Sequence, residues 1–171
     1  QGYSVDLLVD FLKLRGHRNV YVELGGEIKL SGLKAGNRLW NIGIEAPIEN
    51  NKTNTQSIQN VFSITDCAIA TSGNYRKFFE EDGQLYAHTI NPKTGTQNRH
   101  NLLSATVFSP SCAISDALAT YFMVVGIDAA KLFLEKNKNM GIEVYLIFAK
   151  EGKYESYCSP SLLLKQKEAN S

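Results

Sequence analysis

The chain has 171 residues, with 18 Lys and Arg against 17 Asp and Glu, for a net charge of +1. That balance gives no electrostatic argument for nucleic acid or an anionic membrane surface, and no apolar run approaches the roughly 20 residues of a membrane-spanning helix. A chain of this length buries about 70% of its unfolded surface and needs no disulfide staples. Its three cysteines, Cys67, Cys112 and Cys158, are odd in number, lack Cys-x-x-Cys spacing and read as small buried apolar residues.

The sequence opens on Gln1 with neither an initiator Met nor a signal peptide, which predicts either a processed chain or one that begins partway through a longer protein. Residues 4–15 carry Leu7, Leu8, Phe11, Leu12 and Leu14 at helical spacing, with Ser4 as the candidate cap and Gly16 as the stop. Val20, Val22 and Leu24 alternate as a strand, and residues 27–30 form a second. Gly25-Gly26 between them is either a plain hairpin turn or backbone that a ligand can approach without meeting a side chain. The Gly36-Asn37 turn leads into a strand over 38–46 that holds the only Trp, Trp40; residues 50–55 are a polar loop tip. Residues 57–70 read as two strands turning near Thr65-Asp66. Residues 75–79 and 84–90 pair across Asp82-Gly83, a hairpin that delivers His88 near the end of its second strand. A strand over 103–108 precedes a helix over 113–125 that ends at Gly126. Asp128 is expected to cap a further helix to about Lys136. Residues 141–148 are a buried strand, Glu151-Gly152 a turn and 153–158 the hairpin partner; from Leu162 the tail is a short helix or frays. Strands joined by hairpins, with helices grouped between them, predict an α+β fold: an antiparallel β-sheet core with flanking helices.

Three stretches carry chemistry. Asp116 and Thr120 are four apart on a helix, so their oxygens share a face. A carboxylate and a hydroxyl are hard ligands suited to Mg²⁺; equally, an Asp near a helix N-terminus stabilises the dipole and Thr fills surface. Leu118, Phe122 and Met123 predict that much of this helix is buried, so its Asp needs a partner. His88 precedes Asn91-Pro92, which holds the chain extended, and the Thr94-Gly95 turn. A histidine so placed is either a hydrogen-bonded structural group or a general acid or base near neutral pH. Thr71, Ser72 and Gly73 end an apolar strand as a turn cap or as a phosphate or ribose contact, with Tyr75 and Arg76 beside them.

Six stretches in order resemble the ApbE family of FAD:protein FMN transferases, also called flavin-trafficking proteins. They are Gly25-Gly26-Glu27, Trp40 to Pro47, Ala70-Thr71-Ser72-Gly73, His88 to Gly95, Leu103-Ser104-Ala105-Thr106-Val107 and Ser115 to Thr120. The similarity runs from Gln1 to about Phe148. It implies an enzyme that cleaves FAD at the pyrophosphate with Mg²⁺, releases AMP and joins FMN through its phosphate to a Ser or Thr of an acceptor protein. Some members mainly hydrolyse FAD to FMN and AMP. By this resemblance Asp116 and Thr120 fall on metal ligands, and Ala119 stands where some relatives have a metal-binding Asp, so that it offers only a backbone carbonyl. His88 falls on the catalytic histidine and Ile90 on a flavin-site position. Gln1 stands where many relatives carry a Lys lining the FAD site, and Asn91 where Asp is common. The resemblance also implies that residues 1–171 are the C-terminal portion of one ApbE-like domain in a larger two-part fold. The expected home is the periplasmic face of a bacterial membrane, as a lipoprotein anchored through an N-terminal lipid outside this sequence. A flavin-binding or carrier module without turnover is the alternative.

Overall fold

In the computed structural model, residues 1–45, 58–73, 78–81, 84–87, 90, 92, 94–96, 100–151 and 153–167 are described. Helix α1 (Gly2–Leu14) is followed by β1 (Val20–Leu24), β2 (Glu27–Ser31), β3 (Trp40–Glu45), β4 (Ile58–Ile64) and β5 (Ala68–Gly73). A hairpin of β6 (Phe78–Glu81) and β7 (Gln84–Ala87) precedes β8 (Leu102–Ser109). Two helices follow, α2 (Cys112–Val125) and α3 (Ile127–Lys136), then β9 (Glu143–Lys150), β10 (Lys153–Cys158), α4 (Pro160–Leu163) and β11 (Gln166–Lys167).

The central sheet has six strands in the order β1-β2-β5-β8-β9-β10, all antiparallel to their neighbours. Period-2 alternation divides its residues between two cores. Ile69, Phe108, Tyr145 and Ile147 face a three-stranded sheet of order β11-β4-β3 and meet Ile42, Ile44, Phe62 and Ile64 there. Phe62 packs edge-on against Phe108 and Tyr145, with ring centroids 5.4 and 5.8 Å away. Ala105, Val107, Val144 and Leu146 face the other way and pack under Ala119, Phe122 and Met123 of α2 and Ile127 and Ala130 of α3. The result is an α+β fold in which one sheet is covered by helices on one face and by a second sheet on the other.

Three local expectations change. The face of α1 that packs is Gly2, Val5 and Val9, while Leu7, Leu8, Phe11 and Leu14 are 45–87% exposed. The narrow stripe wins because it meets Ala68 and Cys112 closely, which bulky leucines would prevent. Ser4 lies inside α1, whose N-cap is Gln1 with no side-chain cap bond. Asp128 sits in the first turn of α3 behind an N-cap at Gly126, where its charge favours the helix dipole. Of the two alternatives for the tail, the short helix holds as α4, with Leu162 buried in the inter-sheet core, and Gln166–Lys167 beyond it pair with Phe62 and Val61 of β4.

Asp6 ties α1 to α2. It accepts hydrogen bonds from Lys29 Nζ, from the backbone N–H groups of Cys112 and Ala113 (3.0 Å each) and from Ser111 Oγ (2.8 Å). Burial pushes its carboxyl up, but these four donors outweigh burial and hold it at about 2, below the ordinary 3.8. The folded value is the lower one. Asp6 therefore stabilises the fold fully above pH 4, roughly, and the contribution of about 2 kcal/mol is lost as pH falls from about 4 to about 2. Asp6→Asn is expected to cost about 3 kcal/mol at pH 7, because Lys29 is left without its counter-charge. Urea midpoints of both proteins at pH 7 and near pH 2 check this, and the gap is expected to shrink at the acid end.

Candidate active site

The first half of α2 is held in register by buried hydroxyls. Ser115 Oγ lies 2.9 Å from Ser109 Oγ and donates to the Ala68 carbonyl at 3.3 Å. Ala68 and Ala70, both buried, are small enough for α2 to lie close over β5. With Ser115 and Ala119 locked inward, Asp116 and Thr120 emerge on the adjoining face, half-buried and exposed respectively. Thr120 Oγ1 is 3.1 Å from Ser72 Oγ near the end of β5.

The N-terminus of α1 abuts the same face. A Cβ on Gly2 would sit 2.3 Å from the Cys112 carbonyl oxygen and 2.9 Å from Asp116 Cβ, so only glycine permits the approach. The Gly2 N–H donates to Asp116 Oδ2 at 2.9 Å, and the Gln1 nitrogen lies 3.4 Å from the same oxygen. Among the described residues, nothing hydrogen-bonds Asp116 Oδ1. The Gln1 side chain reaches over the β1–β2 turn, where a Cβ on Gly25 would come within 2.6 Å of its Nε2. Gly25 and Gly26 have φ of +66° and +105°, the left-handed geometry a tight turn needs.

Glu27 follows that turn. Along β2, residues 28 and 30 belong to the inter-sheet core, which leaves Glu27 and Lys29 facing the helices. Lys29 is committed to Asp6. Glu27 is 8% exposed, and its Oε2 has no hydrogen-bond partner among the described residues. Burial pushes its carboxyl above the ordinary 4.5 and the Asp116 charge adds to this; its own backbone amide pulls back. An orphaned buried acceptor costs about 1–3 kcal/mol, so Glu27 is an expensive residue to keep there. Sequence reasoning did not single it out. The signal was a charged residue opening an otherwise buried strand directly after two glycines.

The other expected site residues divide. Thr71 and Ser72 project to opposite faces of β5: Thr71 Oγ1 bonds Thr106 Oγ1 at 2.9 Å, and only Ser72 reaches Thr120. Gly73 ends β5 and is half-buried. Ala119 is wholly buried, so its methyl group serves the core. Ile90 is 57% exposed. Thr94 accepts from the Thr96 N–H at 3.3 Å, and Gly95 has φ +68°, which forms the expected turn. His88 and Asn91 lie outside the described residues, as do Tyr75 and Arg76. Burial pushes the Cys67 and Cys158 thiols up to about 11 and that of Cys112 to about 12, so none is a thiolate nucleophile at neutral pH.

The model of the ApbE family matches residues 1–146, a span that contains Gln1, Glu27, Ser72, Asp116 and Thr120. The chain belongs to the ApbE family. It is 38% identical over 161 residues to the FAD:protein FMN transferase of Vibrio cholerae, covering 94% of this chain and 46% of that protein. The FAD:protein FMN transferase of Escherichia coli strain K12 is 33% identical over 170 residues, covering 98% and 46%. The apo crystal structure of the Pseudomonas stutzeri flavinyl transferase ApbE superposes with a TM-score of 0.79 at 31% identity, covering 96% of this chain and 48% of that one. The chain thus spans about half the length of the curated relatives it matches.

The donors of this ApbE-family site fit a hard divalent cation. Among the described residues nothing hydrogen-bonds one oxygen of Asp116 or one of Glu27, and Thr120 is exposed one helical turn from Asp116. All are oxygens, the ligand type Mg²⁺ takes. Among the described residues no group of three or more His, Cys, Asp and Glu side chains is arranged to hold a metal. So sparse a set suits Mg²⁺, which keeps its waters and borrows oxygens from substrate phosphates.

Proposed function

We propose that the complete protein is an Mg²⁺-dependent FAD:protein FMN transferase and that this chain supplies the part where the phosphates react. The observation that carries the proposal is the Asp116 oxygen that no described residue hydrogen-bonds, beside the exposed Thr120, on the face of α2 that meets the end of β5 and the α1 N-terminus. Asp116 and Thr120 would hold the cation, with the Ala119 carbonyl as the adjacent backbone oxygen. Bound there, Mg²⁺ neutralises charge that builds on the pyrophosphate.

The remaining roles fall to the protein. A Ser or Thr hydroxyl of the acceptor attacks the flavin-side phosphorus of FAD. The P–O bond to the AMP phosphate breaks, and AMP departs with the bonding electrons. His88 accepts the hydroxyl proton as general base. Water in place of the acceptor gives FMN and AMP. Ser72 positions the Thr120 hydroxyl, Ile90 contacts the flavin through its backbone, and Gln1 borders the dinucleotide beside Gly25. Thr71 and Gly73 shape the end of β5 rather than the phosphate contact. The same reading puts the protein on the periplasmic face of a bacterial membrane, anchored by an N-terminal lipid. Among the described residues no helix is long and apolar enough to cross a membrane.

Two features favour a second reading, a flavin carrier without turnover: the Gln1 side chain brings no charge to the Gly25 turn, and Ala119 brings no side-chain ligand. Incubating the complete natural protein with FAD and Mg²⁺ separates the two. AMP release that stops on adding a chelator is the expected result. FAD binding without AMP would make the protein a carrier, and no FAD binding would defeat both readings.

A further inference from the structure

Glu27 is the residue the proposed reaction leaves unused. It is more than nine-tenths buried, and its Oε2 is the only buried side-chain oxygen or nitrogen among the described residues with no hydrogen-bond partner. A buried carboxylate oxygen without a donor is retained where something outside the protein completes it. The neighbouring groups show what is missing. The ionisable groups whose charges act together here are Asp116 and Cys112 from α2, Asp6 from α1 and Lys29 from β2. Lys29 is bound to Asp6, and Cys112 is a neutral thiol at pH 7. Asp116 and Glu27 therefore act on each other with no side-chain cation to balance them among the described residues. Among those residues nothing hydrogen-bonds Asp116 Oδ1 or Glu27 Oε2.

We propose that Glu27 is the outer carboxylate of the Asp116–Thr120 cation site: its Oε2 accepts a hydrogen bond from a water carried by the divalent cation. The inference rests on the cation reading of Asp116 and Thr120. Mg²⁺ sheds its waters reluctantly, so a carboxylate placed to accept a hydrogen bond from one of those waters fits it better than a further direct ligand. Such an acceptor orients the water and raises the affinity of the site. The Gly25–Gly26 turn places Glu27 at the mouth of β2, beneath the Gln1–Gly2 end of α1. Glu27 is a positioning residue on this account and touches no reacting atom.

The test is a Mn²⁺ titration of the complete natural protein. Free Mn²⁺ is read by electron paramagnetic resonance, with FMN present to supply a phosphate that cannot be cleaved at a pyrophosphate. Glu27→Gln is expected to weaken Mn²⁺ binding about 10–100-fold. Its metal-free melting temperature should match or exceed that of the wild type, because a buried charge has been removed. Glu27→Asp, which keeps the charge on a shorter arm, should bind with intermediate affinity. Unchanged Mn²⁺ affinity in Glu27→Gln overturns the proposal, as does a lowered metal-free melting temperature with unchanged affinity, which would make Glu27 structural. If Glu27→Gln does not fold, Glu27→Asp decides: weaker binding with unaltered metal-free melting supports the proposal, and unaltered binding overturns it. Wild-type protein that binds no Mn²⁺ removes the cation reading itself, a result distinct from equal binding by wild type and variant.

Discussion

Asp116→Asn is expected to lower Mg²⁺-dependent FAD cleavage by at least about 100-fold, since loss of an outer partner of a metal ligand already costs 10–100-fold. The substitution is chosen because of what Asp116 also does in the fold. Its Oδ2 receives the Gly2 N–H, and Gly2 is the point where α1 and α2 nearly touch. An Asn side-chain carbonyl can still accept that bond, while the charge and one oxygen ligand are gone. Alanine would confound the two roles, leaving the first N–H of α1 unpaired. AMP release measured at several Mg²⁺ concentrations, beside the melting temperature, separates them. Unchanged activity with unchanged melting would show that the cation sits elsewhere.

His88→Ala is expected to slow AMP release by about 10²–10⁴-fold, the range a positioned acid or base contributes. FAD affinity should be nearly unaffected, because the residue is assigned to the proton and not to the flavin. Flavin fluorescence quenching measures the affinity and single-turnover AMP release measures the chemistry. Equal loss in both would make His88 a binding or structural residue. The role proposed for His88 follows from the resemblance to the catalytic histidine of the ApbE family, and the residue lies outside the described residues.

Much of the fold was legible because strands announce themselves by alternation. The pairs 27–30 with 19–24 and 153–158 with the preceding strand are antiparallel hairpins as expected. The helix ending at Gly126 was readable from its apolar spacing. The packed face of α1 was not. Two apolar stripes run along it, and periodicity does not say which has a partner; contact with Ala68 and Cys112 selects the Gly2–Val5–Val9 stripe. Nor did the last strand show itself, because Gln166 and Lys167 are polar and belong to the sheet only through backbone pairing with β4. At the site, spacing alone placed Asp116 and Thr120 on one face. It did not reveal Ser72 as their neighbour, Gly2 as the contact that lets α1 reach Asp116, or Glu27 as an orphaned carboxylate. Those depend on strands and helices distant in sequence. The Thr71-Ser72 pair shows the same limit: as neighbours they read as one contact, and the pleat sends them to opposite faces.

The central claim is that the cation and the phosphates of FAD meet on the Asp116–Thr120 face of α2. Anomalous diffraction from crystals of the complete protein soaked with Mn²⁺ and FAD tests it most directly. A single strong manganese peak within ligand distance of Asp116 Oδ1 and Thr120 Oγ1, with flavin-nucleotide phosphate density against it, is the predicted result. A manganese peak on the phosphates but remote from both residues would contradict it.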